Sequence, residues 1–220
     1  MTLDDLHFAT QSASMETQSA ADHLQVIRTL MERSALYRRA LAPIMLFAGL
    51  MGVAGAAIGI LSHIEGFRAF GMLWLCIAVV VVTGAFFIAR RQALKDHEPF
   101  WSPPTRRVGQ ALLPPLAAGF LFSLVLIILN PGHMRWLFIF PNILFYGCGL
   151  HAAGFFMHRG IRLFGWFIIV LGGLSLLAIP MFRSDPSPTL DHGIMGFFFG
   201  VLHLAYGAYL YVTEKGKNAA

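Results

Sequence analysis

The fold class this sequence predicts is an all-α integral membrane protein of six transmembrane helices, arranged as three helical hairpins behind an N-terminal cytoplasmic amphipathic helix. Three observations predict it. Of the 220 residues, 57% are hydrophobic and only 12% charged. A soluble domain carries roughly 25% charged residues, so half of the usual polar coat is missing and lipid is the matching solvent. The apolar residues gather into six runs near the ~20-residue length that crosses a bilayer. The basic residues fall between those runs in an alternating pattern, which gives the chain an orientation.

Residues 1–40 are the polar part, opening "MTLDDLHFATQSASMETQSAADH". No basic stretch followed by an apolar one marks a cleavable signal peptide. The segment "DHLQVIRTLMERSALYRRA" predicts a helix capped near Asp22. Leu24, Ile27, Leu30, Met31 and Ala35 share one face, with Arg28, Glu32, Arg33 and Arg39 largely elsewhere. Such a helix lies on the membrane surface or docks a protein partner through residues 22–39.

The membrane domain, 41–213, follows. Spans are expected at 41–62, 70–89, 110–130, 136–157, 162–182 and 192–213, and residues 214–220 form a short tail. The connectors carry helix breakers: "SHIEGFRAFG", "RRQALKDHEPFWSPPTRRVGQ", "NPGH", "HRGIR" and "RSDPSPTLDHG". Of the 16 Lys and Arg residues, 13 lie in the N-terminal segment, the second and fourth connectors and the tail. Only Arg68, Arg135 and Arg183 lie in the other three connectors. The positive-inside rule then puts both termini in the cytoplasm. The cations are topological anchors on anionic headgroups, and the sequence pI of about 9.6 needs no nucleic-acid partner. Cys76 and Cys148, both inside apolar runs, read as small buried hydrophobes.

A faint repeat supports the hairpins. "TGAFFIARR", "AAGFFMHRG" and "YGAYLYVTE" close the second, fourth and sixth spans, while "LAPIMLFAG" and "LLPPLAAG" open the first and third. The segments "IRTLMERSALYRRALAP" and "AGFFMHRGIRLFGW" resemble a family of small bacterial six-helix membrane proteins without an assigned activity. The resemblance implies a fold and no function.

Chemistry has few places to sit. Gly147, His151, Gly154 and His158 fall on one helical stripe of the fourth span, and Gly196, Gly200, His203 and Gly207 on one stripe of the sixth. Glycine at these spacings lets a second backbone approach closely. Both His151 and His203 are therefore expected to face the bundle interior, at depths that make them neighbours. Asn142, Tyr146 and Tyr206 are the other intramembrane polar candidates, and Pro141 frees a carbonyl beside Asn142. Histidines in such places are packing glue when each bonds a neighbouring helix, a contact worth about 0.6 kcal/mol. The same pair with glycine beside it also suits axial ligation of haem b. All eleven acidic residues lie outside the spans, which argues against a proton- or sodium-driven transporter. No catalytic residue and no resident metal are assigned, and His63, His133 and His192 read as interfacial. The functional expectation is a non-enzymatic accessory or assembly component of a membrane complex. A passive small-solute or lipid-linked transporter and a b-type haem protein using His151 and His203 are the alternatives.

The charge pattern gives a direct test. Reporter fusions at Gly66 and Gly132 are expected to report the outer side of the membrane, and a fusion after Ala220 the cytoplasmic side. An external C-terminus overturns the orientation.

Overall fold

The structure, a computed structural model, describes residues 40–95, 100–130, 132, 134–182 and 187–218. The expected amphipathic helix at 22–39 lies outside the described residues. Six helices are long and apolar enough to cross a membrane. They are α1 (Ala40–Leu61), α2 (Phe67–Lys95), α3 (Pro103–Leu129), α4 (Trp136–Ala153), α5 (Arg159–Phe182) and a composite sixth span, Pro188–Thr213. The sixth consists of α6 (Pro188–Gly196), a π-helical turn at Phe197–Val201 and α7 (Leu202–Asn218).

Several helices begin earlier or end later than hydropathy alone indicates. The "SPP" stretch at 102–104 and the "SP" pair at 187–188 act as helix starts. Ser102 is the N-cap of α3 with Pro103 behind it, and Ser187 caps α6 with Pro188 behind it. Proline is tolerated at a first helical position because its missing N–H is unpaired there anyway. Ser187 Oγ accepts the Leu190 N–H at 3.4 Å. At its far end α3 stops at Asn130, whose left-handed φ of 50° returns its N–H to Leu126. The 29 residues of α2 reach about 43 Å, well beyond a hydrocarbon layer of about 30 Å.

Helix α4 holds the middle of the bundle, packed by α3 and α5 and touching α6. Its buried side chains Ile139, Phe140 and Ile143 meet Phe70, Ile168 and Phe198 in one apolar core. Phe70 and Phe138 join α2 to α4 edge to face, with centroids 5.8 Å apart. The first helix packs on the sixth span through glycine. A Cβ on Gly200 would sit 2.8 Å from the Val53 nitrogen, one on Gly207 2.9 Å from the Leu46 nitrogen, and one on Gly196 2.5 Å from Ala56 Cβ. In return Gly49 and Gly52 face Leu204, Phe199 and Gly200. The backbones touch because no side chain stands between them.

The structure corrects three readings. Cys76 and Cys148 are exposed on the outside of the bundle, not buried. Hydropathy cannot separate them from core residues, because a membrane helix is apolar on both its lipid and its protein faces. The fourth span ends at Ala153 and not at residue 157, so Gly154–Phe156 turn and His158 leaves the helical stripe. The three closing segments of the repeat also differ locally: "TGAFFIARR" is continuous helix, whereas "AAGFFMHRG" contains the turn that ends α4.

The glycine contacts are testable by adding one methyl group. Gly52→Ala, which presses on the Phe199 carbonyl, is expected to cost about 1–3 kcal/mol in thermal unfolding in detergent. Gly173→Ala, with open space around its Cβ, is expected to be neutral or stabilising. Equal losses would show that α1 and the sixth span are not held by backbone contact.

Candidate functional site

The polar side chains carried into the bundle meet at three junctions. The deepest is built around His203, whose ring is fully buried. The π-helical turn before it widens the helix, so that Leu202 N–H reaches Phe197 O five residues back. His203 Nδ1 lies 3.0 Å from Phe198 O, and its Nε2 lies 2.6 Å from Tyr146 Oη on α4. A carbonyl only accepts, so Nδ1 carries the proton and Nε2 accepts from the Tyr146 hydroxyl. The ring packs edge-on to Phe164 of α5 at 5.3 Å and over Phe199 at 6.4 Å. Both ring nitrogens are thus occupied, and the imidazole ties the sixth span to α4.

The second junction lies at the sparsely charged end of the bundle, where the α1–α2 connector meets the starts of α2, α4 and α6. His192 is buried, with Phe70 at 4.8 Å and Trp74 stacked at 6.3 Å. Trp74 Nε1 donates to His192 Nδ1 at 3.2 Å, and His192 Nε2 donates to Ile64 O at 3.0 Å. An indole N–H only donates, so this imidazole holds the tautomer opposite to that of His203. Gly59 of α1 lies directly against the ring, where a Cβ would overlap it. Next to it, Asp191 accepts from Arg135 Nε, and Arg135 Nη1 donates to Glu65 O at 2.7 Å. The Arg135 side chain is 4% exposed and that of Asp191 15%, so this ion pair is largely withdrawn from solvent.

The third junction joins α3 to α4. Asn142 Nδ2 donates to Ser123 Oγ at 2.8 Å and to Phe138 O at 2.7 Å, while Ser123 Oγ donates to Asn142 Oδ1 at 3.1 Å. Asn142 therefore bonds the turn before it and a second helix together. The Ser123 hydroxyl, buried and paired with an amide, has no imidazole bonded to it among the described residues.

His151 and His203 are not brought together. His151 lies half-buried at the α4–α5 contact, between Phe155 and Trp166, with Nδ1 3.5 Å from Arg162 O. Its stripe faces α5: a Cβ on Gly147 would meet Ile169 and Gly165 O, and one on Gly154 would lie 2.6 Å from Arg162 Cα. The stripe of the sixth span faces α1 through Gly196, Gly200 and Gly207, while His203 turns aside toward α4 and α5. Tyr206 stacks on Phe164 at 4.6 Å, and its hydroxyl, close over Gly160, is a buried polar atom without a partner among the described residues. His158 sits in the α4–α5 connector, where Nδ1 accepts the Gly160 N–H at 3.1 Å.

Sequence reasoning missed Trp74, Ser123, Arg135 and Asp191 as site residues and left His192 as an interfacial group. One signal was present. Arg135 and Asp191 are opposite charges at the starts of two spans that enter from the same end. Trp74 and Ser123 carry no such mark, since both occur throughout apolar helices.

The junctions predict measurable couplings. In a double-mutant cycle, Tyr146→Phe and His203→Asn are expected to couple by about 0.6–1.7 kcal/mol. Nitrogen-15 spectra are expected to place the proton of His203 on Nδ1 and that of His192 on Nε2. The same tautomer for both would refute the assigned bonding.

Comparison of the chain with protein-family models, with characterised proteins and with solved structures finds no match.

Proposed function

We propose that this chain is a non-enzymatic accessory or assembly component of a membrane complex, held in the bacterial cytoplasmic membrane with its basic end inside. The observation that carries this reading is the mutual satisfaction of three polar pairs inside the bundle. Tyr146 with His203, Ser123 with Asn142, and Trp74 with His192 each close on a neighbouring helix. A permeation path needs polar groups presented to a water-lined route near the midplane, and an axial haem ligand needs a ring nitrogen without another partner. At His203 both nitrogens already have partners.

The exposure of α2 supports a partner in the membrane. Only 6% of its apolar window lies inside the bundle, against 44% for α4. Beyond Trp74 its one buried residue is Ala93, so most of the helix offers apolar surface to whatever lies alongside. The amphipathic pattern of the segment 22–39 adds a second docking element. The three hairpins, the cytoplasmic termini and the family resemblance belong to this reading as well.

The test is solubilisation of the tagged chain from its native membrane in mild detergent, followed by native electrophoresis and a visible spectrum. A complex larger than the monomer is expected, weakened by Ile27→Glu and unchanged by Gln25→Glu. A monomer that conducts solute in proteoliposomes, or a Soret band lost in His151→Asn and His203→Asn, would overturn the proposal in favour of transport or haem binding.

A further inference from the structure

A cleft of about 410 Å³ opens at the sparsely charged end, between the α1–α2 connector, the first turn of α2 and the end of α3. Glu65, Arg68, Asn130 and Arg135 supply its polar walls. Arg135 is fixed from behind by Asp191 and the Glu65 carbonyl through Nε and Nη1, while its Nη2 has no hydrogen bond among the described residues. Arg68 lies at the rim. Its Nε and Nη2 donate to Ile127 O and Ile128 O at 3.2 and 3.3 Å, which holds the guanidinium in place and leaves Nη1 unbonded among the described residues. The Glu65 carboxylate has no ion pair among the described residues.

The cleft is therefore lined by two held guanidinium groups, that of Arg68 exposed and that of Arg135 only 4% exposed, and by one carboxylate. With Asp191 balancing Arg135, the set is near neutral and suits a zwitterion better than a simple anion. Its height is that of the membrane interface, since α3 ends and α4 begins beside it. Ile128 and Leu129 are 65% and 70% exposed there, and Met134 and Trp136 are exposed nearby, giving a lipid-facing apolar approach to the rim. We propose that the cleft binds the headgroup of a membrane phospholipid whose phosphate diester carries a primary ammonium group. The phosphate oxygens accept from Arg68 and Arg135, the ammonium donates to Glu65, and the acyl chains lie along the exposed end of α3. Guanidinium edges match phosphate geometry, and a carboxylate can accept from a primary ammonium but not from the hydroxyls of a glycerol headgroup at equal strength.

The full-length chain, delipidated in detergent, is titrated with phosphatidylethanolamine, phosphatidylglycerol and soluble phosphoethanolamine, and bound lipid is counted by native mass spectrometry. Phosphatidylethanolamine is expected to be retained roughly tenfold more tightly than phosphatidylglycerol, the equivalent of one charge-assisted hydrogen bond. Arg68→Gln is expected to weaken it by roughly tenfold. Because Arg68 also closes α3, Glu65→Gln serves as the second variant: it leaves that closure intact and is expected to erase the preference between the two lipids. Unchanged retention in Arg68→Gln, or a preference that survives Glu65→Gln, would overturn the proposal. Competition by soluble phosphoethanolamine at concentrations equal to the lipid would assign the cleft to a free solute and overturn the lipid source.

Discussion

No water waits in the hydrocarbon layer to replace a lost hydrogen bond, so a side-chain donor that folding carries below the interface is costly unless it finds its acceptor on a neighbouring helix. That requirement orders this bundle. At the sparsely charged end a single knot of Trp74, His192, Asp191 and Arg135 gathers α2, α4, α6 and the connector carbonyls of Ile64 and Glu65. Removing one member strands another in a place it cannot leave. For a buried ion pair such as Arg135–Asp191 the loss of one partner typically costs about 3–5 kcal/mol, far more than the intact pair contributes.

Glycine solves the complementary problem. Lipid gives apolar helices no hydrophobic reason to associate, so contact between α1 and the sixth span depends on backbones close enough for dispersion to act over a long seam. Gly49 and Gly52 on one side and Gly196, Gly200 and Gly207 on the other open that seam. The work of His203 on the same span is different. The three glycines keep to α1, and the imidazole swings off their face to reach Tyr146 and Phe164. One helix thereby packs against α1 with its backbone and against α4 and α5 with its side chains.

Much of this frame was legible in the chain, and the reasons the rest was not are physical. Six runs of apolar residues announce six spans because only a helix of that length satisfies its own backbone in lipid. Their ends were misjudged where Ser102–Pro103 and Ser187–Pro188 read as breakers, although the same residues start helices when serine caps and proline follows. Which face of a span is buried was not legible at all for Cys76 and Cys148, because lipid and protein demand the same apolar side chains. Rotation was the other blind spot. A stripe drawn at 3.6 residues per turn puts His203 with its glycines, yet its ring reaches Tyr146 on α4 while the glycines face α1. The ion pair between Arg135 and Asp191 joins residues 56 apart, a distance over which no periodicity speaks.

The junctions fix the arrangement of the helices more than they strengthen it. Interhelical hydrogen bonds of this kind contribute about 0.6 kcal/mol each, so three of them are small beside the apolar and glycine seams. Those seams, however, tolerate sliding, since a leucine surface looks much the same one turn along. The polar contacts do not. Moving one helix by a single residue shifts it about 1.5 Å and rotates it about 100°, which leaves Tyr146 Oη, Asn142 or Trp74 Nε1 facing hydrocarbon. An unpaired group there costs about 2–7 kcal/mol, several times what its bond supplied. The penalty for the wrong register thus exceeds the reward for the right one, and the opposite tautomers of His192 and His203 sharpen it further. Each ring can be satisfied in one orientation only, by one donor and one acceptor already fixed on different elements.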